Sequence, residues 1–175
     1  MKKVLLHICC GVCALYCIEY LKEQKFYVEG FFFNPNIHPI NEYKKRKEYV
    51  DKLIDLYQIK IITEEYEPQA WHKVCDIYKD EPEGGKRCYF CYEFRLLKTY
   101  EVMQKNNFDY FTTTLTISPH KKSNTIFEIA NRINKDKFLA IDFKKQNGFK
   151  KTIHLSNKFN FYRQNYCGCI YSIKK

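Results

Sequence analysis

Nine cysteines carry most of the chemistry that this sequence offers, and seven of them occur in three short clusters. The first cluster lies in HICCGVC at residues 7–13, directly after an apolar run. Ionised thiols are nucleophiles and ligands for soft transition metals. Three separate clusters in one small chain therefore indicate a thiolate-bound metal centre. The clustered residues are Cys9, Cys10 and Cys13, then Cys88 and Cys91, then Cys167 and Cys169.

The number of clustered thiols bears on which metal they would hold. Four thiolates fit either a zinc ion or an iron–sulfur cluster. A structural zinc ion needs only four ligands, so the surplus of thiols favours an iron–sulfur cluster with further thiolates beside it. Cys17 follows Cys13 by one helical turn and is expected in the core, and Cys75 has no cysteine neighbour in sequence.

Length and hydropathy limit the class of protein. The 175 residues fit one domain, and a hydrophobic share of 45% is typical of globular proteins. No apolar stretch approaches the ~20 residues that span a bilayer, and His7 and Glu19 interrupt a signal-like start. We therefore expect a cytoplasmic protein with no membrane partner. Thiols stay reduced there, and an odd number of cysteines cannot all pair within one chain.

Basic residues interleaved with aromatic residues favour a nucleic-acid partner. The net charge is +10, although a lysine-rich composition alone would also produce it. Lysine and arginine pair with phosphates, while aromatic rings stack on bases. The basic groups are KKRK at 44–47, HKK at 120–122, KK at 144–145 and 150–151, and YRQNY at 162–166.

Strand and helix patterns alternate along the chain, which is typical of an α/β fold with a parallel sheet covered on both faces. We expect a single three-layer α/β/α domain over residues 1–175, with a mostly parallel sheet of about five strands. The predicted strands are 2–8, 27–35, 59–66, 110–117 and 138–143, and the predicted helices are 13–24, 40–58, 67–78, 88–104 and 123–134.

Several chemically rich loops follow predicted strands directly. HICCGVC follows the first strand, NPNIHP at 34–39 the second, SPHKK at 118–122 the fourth, and DFKKQNG at 142–148 the fifth. Because sites in such sheets form beyond the carboxyl ends of the strands, we expect these loops to converge. The first loop lacks the glycines and serines that present backbone N–H groups to phosphate, so we expect no functional ATP loop.

The motifs LLHICCGVC, FNPNIHPINEYKKR, RCYFCYEFRL, FTTTLTISPHK, DFKKQNG and YRQNYCGCIYS together resemble the cobalamin-independent epoxyqueuosine reductases of the QueH type. The resemblance runs in order from residue 4 to about residue 172. It implies an adenine-nucleotide α-hydrolase-like (HUP-like) fold, a [4Fe–4S] cluster, an additional iron ion in some members, and no cobalamin. The implied reaction removes the epoxide oxygen of epoxyqueuosine in the tRNA anticodon loop, using electrons from an external donor.

The resemblance bears on the role of Cys13, and side-chain chemistry suggests roles for the other residues. Family members carry Cys or Asp at the position of Cys13, so Cys13 is either a seventh ligand or lies beside the second iron at the catalytic site. His120 or Tyr166 is expected to deliver a proton, with a phosphate or backbone contact as the alternative for His120. The expected cluster ligands are Cys9, Cys10, Cys88, Cys91, Cys167 and Cys169, and the expected contacts to tRNA phosphates are Arg46, Lys121, Lys122 and Arg163.

Two other function classes fit the same cysteines. A thiol–disulfide or sulfur-transfer enzyme acting on tRNA would use the Cys-x-x-Cys pair for redox chemistry and would need no metal. A zinc-stabilised RNA-binding module would unfold when the metal is chelated and would catalyse nothing.

Overall fold

The computed structural model describes residues 1–173, and its central element is the predicted first strand. Both faces of this strand are covered, because Val4 and Leu6 lie in one apolar core and Leu5 lies in another. A strand that is buried on both faces has a continuous apolar sequence, as this one does. The regular elements of the described residues are β1 (Lys3–His7), α1 (Gly11–Glu23), β2 (Tyr27–Phe32), α2 (Ile40–Tyr57), β3 (Ile61–Thr63), α3 (Pro68–Cys75), α4 (Lys86–Lys105), β4 (Tyr110–Thr113), α5 (Ser123–Asn134) and α6 (Gly148–Lys158).

The strands form one parallel sheet in the order β3-β2-β1-β4. The chain places β2 and then β3 on one side of β1, and it returns to place β4 on the other side. The direction of winding therefore reverses between β1 and β4. At such a switch point the loops after the two strands diverge and leave a crevice at the carboxyl edge of the sheet, where ligands bind.

Helices cover both faces of this sheet. On one face α1 packs against α2 and α6, and on the other face α4 packs against α5 and α3. The first face has a core that includes Leu15 and Phe143, and the second has a core that includes Leu96 and Phe111. The predicted three-layer α/β/α architecture is confirmed.

The predicted fifth strand, at residues 138–143, is wrong. In the described part of the chain this segment forms a single parallel bridge, between Phe111 and Phe138. Beyond that bridge, the hydroxyls of Thr112 and Thr116 donate to backbone carbonyls of the segment, at 2.9 and 2.8 Å. Side-chain hydrogen bonds thus replace the backbone ladder that a strand would need, and the sheet has four strands.

The predicted fourth strand is correct in its first half only. β4 ends at Thr113, and Thr114–Ile117 form a 3-10 turn. The hydroxyl of Thr113 accepts a hydrogen bond from the N–H of Leu115 at 3.1 Å, which starts the turn. The turn directs the chain across the carboxyl edge of the sheet, beside the loop that follows β1.

Two further differences concern helices. The predicted helix at 67–78 divides into α3 and a 3-10 turn at Asp76–Tyr78. α6 was not predicted, because its buried face includes Gly148, Thr152 and Ser156 and so lacks a clear apolar period. No helix among the described residues combines the length and the apolar character that crossing a membrane requires.

Gly148 fixes the approach of α6 to the rest of the protein. A Cβ atom at this position would lie 2.6 Å from the Tyr16 ring on α1 and would overlap the backbone carbonyl of Phe143. We expect Gly148→Ala to lower the free energy of unfolding by about 1–3 kcal/mol, as overpacking does. Urea denaturation measures this, with the exposed Lys150→Ala on the same helix as a control that changes stability by less than ~0.5 kcal/mol. Equal stability of the two variants would contradict the tight contact.

Candidate metal centre

The loops that follow β1 and β4 enclose a cavity of about 630 Å³ at the switch point of the sheet. The C-terminal segment that contains YRQNYCGC forms a further wall. The predicted convergence therefore occurs for the loops after β1 and β4, which are more than 100 residues apart in sequence, whereas no residue of 34–39 or 142–148 lines the cavity. Among the residues that line the cavity are Cys9, Cys13, His120, Lys121, Arg163, Tyr166 and Cys167.

The thiols of Cys9, Cys10 and Cys13 form a compact trio at the start of α1. Their sulfur atoms all lie within 4.8 Å of one another, a spacing that would let one metal ion contact all three. Cys10 is the N-cap of α1, and its Sγ accepts a hydrogen bond from the N–H of Cys13 at 3.4 Å. The start of the helix therefore holds Cys10 and Cys13 on the same side. Cys13 belongs with Cys9 and Cys10, so the trio could bind a metal ion.

The three thiols of the trio differ in pKa. Hydrogen bonds from the thiols of Cys10 and Cys13 hold the pKa of Cys9 well below its usual range, and the Lys121 ammonium and the Thr114 hydroxyl lower it further. Hydrogen bonds with Cys10 and with Cys9 raise the pKa of Cys13, while burial raises that of Cys10 to about 12. Cys9 is therefore the first of the three to ionise.

A second group of thiols surrounds Trp71. The buried cluster at this place consists of Trp71, Cys75, Cys91 and Cys169. The indole N–H of Trp71 donates to the Sγ of Cys91 at 3.2 Å. Cys88, one helical turn before Cys91 on α4, accepts a hydrogen bond from the N–H of Gly84 at 3.2 Å. Hydrogen bonds from N–H groups to sulfur are what a metal-bound thiolate requires from its surroundings.

Arg95 places a buried positive charge beside the thiols of the second group. Its side chain is buried and donates to the Sγ of Cys91 at 3.4 Å and to the Oδ1 of Asn34 at 3.2 Å. A hydrogen bond from the Cys75 thiol, together with the positive charge of Arg95, lowers the pKa of Cys91 to about 6. No carboxylate of the described residues forms a salt bridge with Arg95. A buried cation needs an anionic partner, so this environment fits metal-bound, anionic sulfur.

Cys167 and the segment around it connect to the first loop. Arg46 donates to the backbone carbonyls of Tyr166 and Cys167, at 3.0 and 2.9 Å. The side-chain amide of Gln164 donates to the Sγ of Cys10 at 2.9 Å. These contacts hold the C-terminal cysteines against the N-terminal trio, so all three sequence clusters face one region of the protein.

The structure argues against two of the predicted roles. Arg46 is only 3% exposed, and its guanidinium is occupied by Glu42 and by the two backbone carbonyls, so it is not available to a tRNA phosphate. The phenol of Tyr166 donates its proton to the backbone carbonyl of His38, and burial raises its pKa. That proton is therefore poorly placed for delivery to a substrate.

The other predicted residues lie at or near the cavity. His120 and Arg163 line it and are exposed, and Lys122 is exposed beside it. Lys121 is half-buried in the cavity wall, where burial lowers its pKa but electrostatic interactions with Cys167, Tyr92 and Cys9 raise it more. The Lys121 ammonium therefore stays protonated and faces the thiols.

Sequence reasoning missed several contributors to the site. Arg95 lies four residues after Cys91, one helical turn on, and this spacing alone would place it on the same side of α4. Trp71 and Cys75 have the same spacing on α3. Gln164 and Thr114 carry no sequence signal, because their contacts to sulfur depend on how distant loops meet.

Comparisons with known proteins agree with these observations. A family model described as Epoxyqueuosine reductase QueH matches residues 4–175. A protein of that name from Streptococcus pyogenes is 37% identical over 180 residues, covering 98% of this chain and 70% of its own. Another of that name, from Thermotoga maritima, is 37% identical over 179 residues, covering 99% of this chain and 91% of its own.

Two solved structures share the fold at low sequence identity. The U34-tRNA thiolase NcsA from Methanococcus maripaludis, solved with its [4Fe–4S] cluster, has a TM-score of 0.61 and 12% identity, over 99% of this chain and 62% of its own. A predicted subunit of tRNA methyltransferase from Methanocaldococcus jannaschii has a TM-score of 0.59 and 14% identity, over 90% of this chain and 75% of its own. These likenesses show that both proteins share the α/β/α fold of this chain.

The charge balance at Arg95 leads to a testable expectation. Replacing Arg95 by Met removes the positive charge beside Cys91 and the hydrogen bond that Arg95 donates to its sulfur. The affinity of the thiols for metal should therefore fall about 10–100-fold. Anaerobic competition with a ferrous chelator measures this. Arg95→Lys, which keeps the charge, should lie between Arg95→Met and the unmodified protein. Lys98→Met on the same helix is the control, since Lys98 pairs only with surface carboxylates. If Arg95→Met retains metal as the control does, Arg95 has no part in the centre.

Proposed function

The chain belongs to the epoxyqueuosine reductase QueH family, and from that premise we propose that it reduces epoxyqueuosine to queuosine in tRNA. One observation carries the proposal most directly. A single cavity brings together thiols of the first loop, Cys167 of the last cluster and exposed basic residues. This combination provides ligands for a redox metal centre and a surface for a polyanionic substrate in the same place.

The reaction sets the requirements of the site. Converting an epoxide to an alkene consumes two electrons and two protons, breaks both C–O bonds and releases the oxygen as water. An iron–sulfur cluster, when bound, supplies electrons at low potential, which no amino-acid side chain does. An external electron donor must then restore them. Protein groups have to hold the substrate, provide protons and stabilise the oxygen as it becomes negative.

The thiols would hold a [4Fe–4S] cluster and an additional iron ion. The arrangement of the trio supports Cys13 as a ligand together with Cys9 and Cys10. The second group offers Cys88, Cys91 and Cys169 as further ligands, and the C-terminal wall of the cavity offers Cys167. Two features support anionic sulfur in both groups: the lowered pKa values of Cys9 and Cys91, and the hydrogen-bond donors beside them, the indole N–H of Trp71 for Cys91 and the hydroxyl of Thr114 for Cys9.

Lys121 takes a different role from the predicted phosphate contact. Its ammonium faces the thiols from the cavity wall, and its raised pKa makes it a weak acid and a permanent positive charge. We assign to it the stabilisation of the negative oxygen that forms as the epoxide opens. His120, exposed at the same cavity, remains the proposed proton donor.

The exposed basic residues around the cavity would bind the tRNA. Arg163 lies at the cavity and Lys122 beside it, and both side chains face solvent. Phosphate contacts of this kind orient a nucleic acid without reading its sequence. Independence from cobalamin and a cytoplasmic location remain predictions.

The cofactor and the activity are tested together. Anaerobically purified protein should be brown, contain about four or more iron atoms per chain, and convert epoxyqueuosine to queuosine in tRNA when supplied with dithionite. Mass spectrometry of digested nucleosides measures the loss of one oxygen atom. Cys167→Ser should lose iron and activity. Cys17→Ser should keep both, because the Cys17 thiol only donates to the Cys13 carbonyl inside the core.

Three results would contradict this assignment. Colourless protein that carries one zinc ion would exclude the iron–sulfur cluster and would revive the zinc-stabilised RNA-binding module. Full iron content and full turnover in Cys167→Ser would remove the C-terminal cluster from the site. Activity that persists without metal would favour the thiol–disulfide alternative.

Variants of two neighbouring lysines distinguish a role in catalysis from a role in tRNA binding. Lys121→Met removes the cavity charge and should lower kcat about 10²–10³-fold with little change in KM for tRNA. Lys122→Met removes an exposed charge and should raise KM and reduce the salt dependence of tRNA binding by about one ion. Steady-state kinetics over a series of salt concentrations measure both effects. If Lys121→Met changes only KM, the residue is a phosphate contact after all.

A further inference from the structure

A pair of histidines lies outside the thiol centre and has no role in the proposed reaction. His38 follows β2, and His72 lies on α3. Their Nε2 atoms are 3.0 Å apart. Both side chains are partly exposed, so solutes can reach the space between them.

The other nitrogen of each ring is already engaged. The Nδ1 of His38 lies 2.8 Å from the backbone carbonyl oxygen of Asn36. The Nδ1 of His72 lies 2.9 and 3.0 Å from the two carboxylate oxygens of Asp76. Carbonyl and carboxylate oxygens only accept hydrogen bonds, so both Nδ1 atoms carry the proton. In the neutral imidazoles, both Nε2 atoms therefore present lone pairs.

Two lone pairs that face one another at 3.0 Å repel unless a positive species lies between them. We propose that His38 and His72 form a binding site for a divalent late transition-metal ion such as Zn²⁺, with each Nε2 as a ligand. Neutral imidazole is the usual protein ligand for such ions. Water completes the coordination on the exposed side.

The geometry of the pair fits a metal ion. Nitrogens about 2.0–2.1 Å from a zinc ion are about 2.9 Å apart at a right angle and about 3.3 Å apart at the tetrahedral angle. The observed 3.0 Å lies within that range. The ring centres are 4.9 Å apart and the rings are tilted by 64°. If the two rings met end to end along the line through both Nε2 atoms, their centres would be farther apart. The two rings therefore point toward a position to one side of the line between the Nε2 atoms, where a metal ion would lie.

The surroundings resemble those of known metal-binding histidines. A carboxylate that accepts the Nδ1 proton fixes the tautomer and the orientation of the ring, and Asp76 does this for His72. Tyr171 in turn donates to Asp76 at 2.7 Å. Trp71 packs against both imidazole rings, which restricts their orientation. The site is therefore preorganised on its protein side and open on its solvent side.

The test measures zinc binding to the iron-loaded protein, so that the thiols are already occupied. Zinc is titrated anaerobically and bound zinc is determined by elemental analysis. His38→Gln and His72→Gln should each lower the affinity of one zinc site at least tenfold. Asp76→Asn should weaken it less. His154→Gln, which changes an exposed histidine on α6, should bind zinc as the unmodified protein does.

The possible results are distinguishable from failure of the proposed function. The histidine variants should retain the iron content and the epoxyqueuosine turnover of the unmodified protein, because neither ring contacts the cavity. X-ray absorption spectra at the zinc edge should show nitrogen ligands, and these should disappear in His72→Gln. If both glutamine variants bind zinc as the unmodified protein does, the histidines share only a proton and the proposal is wrong.

Discussion

Buried positive charge beside sulfur is the interaction on which the centre depends. Arg95 and Lys121 reach the thiols from opposite parts of the chain, one from α4 and the other from the loop after β4. Neither a buried guanidinium nor a buried thiolate is stable alone, and removing one partner leaves the other as an uncompensated charge. The cations therefore favour ionised thiols even before metal binds, which is the form that metal ligation requires.

The parallel topology brings these groups together. β1 and β4 are adjacent in the sheet although about 105 residues separate them, so the loops after them meet at one edge. The C-terminal segment adds the last thiols, held by Arg46 and by a hydrogen bond from the His38 N–H to the Gly168 carbonyl at 2.7 Å. Arg46 thus contributes to the site by positioning protein backbone, and this explains why it is buried.

The sequence predicted the architecture and the convergence of the cysteines, because apolar periodicity and strand-to-loop order are local signals. Helical spacing also predicts that Arg46 is buried. It lies three residues after Tyr43 and four before Val50, and both of these residues are buried on α2. The different environments of Lys121 and Lys122 could not be predicted, because they depend on the conformation of one loop. The loss of the fifth strand likewise depends on threonine hydroxyls that compete with the backbone for hydrogen bonds.

The start of α1 shows how one edge of this fold supports sulfur chemistry. A helix N-terminus favours negative charge, whether the anion is a phosphate or a side chain. Here the sulfur of Cys10 accepts the N–H of Cys13, in the place where a hydroxyl or carboxylate of an N-cap residue is usual. A neutral thiol is a weak acceptor, whereas a thiolate is a strong one. Burial disfavours ionisation of Cys10 until a metal binds. Metal binding would ionise Cys10 and strengthen the helix start, so metal binding and the order of this loop would support each other.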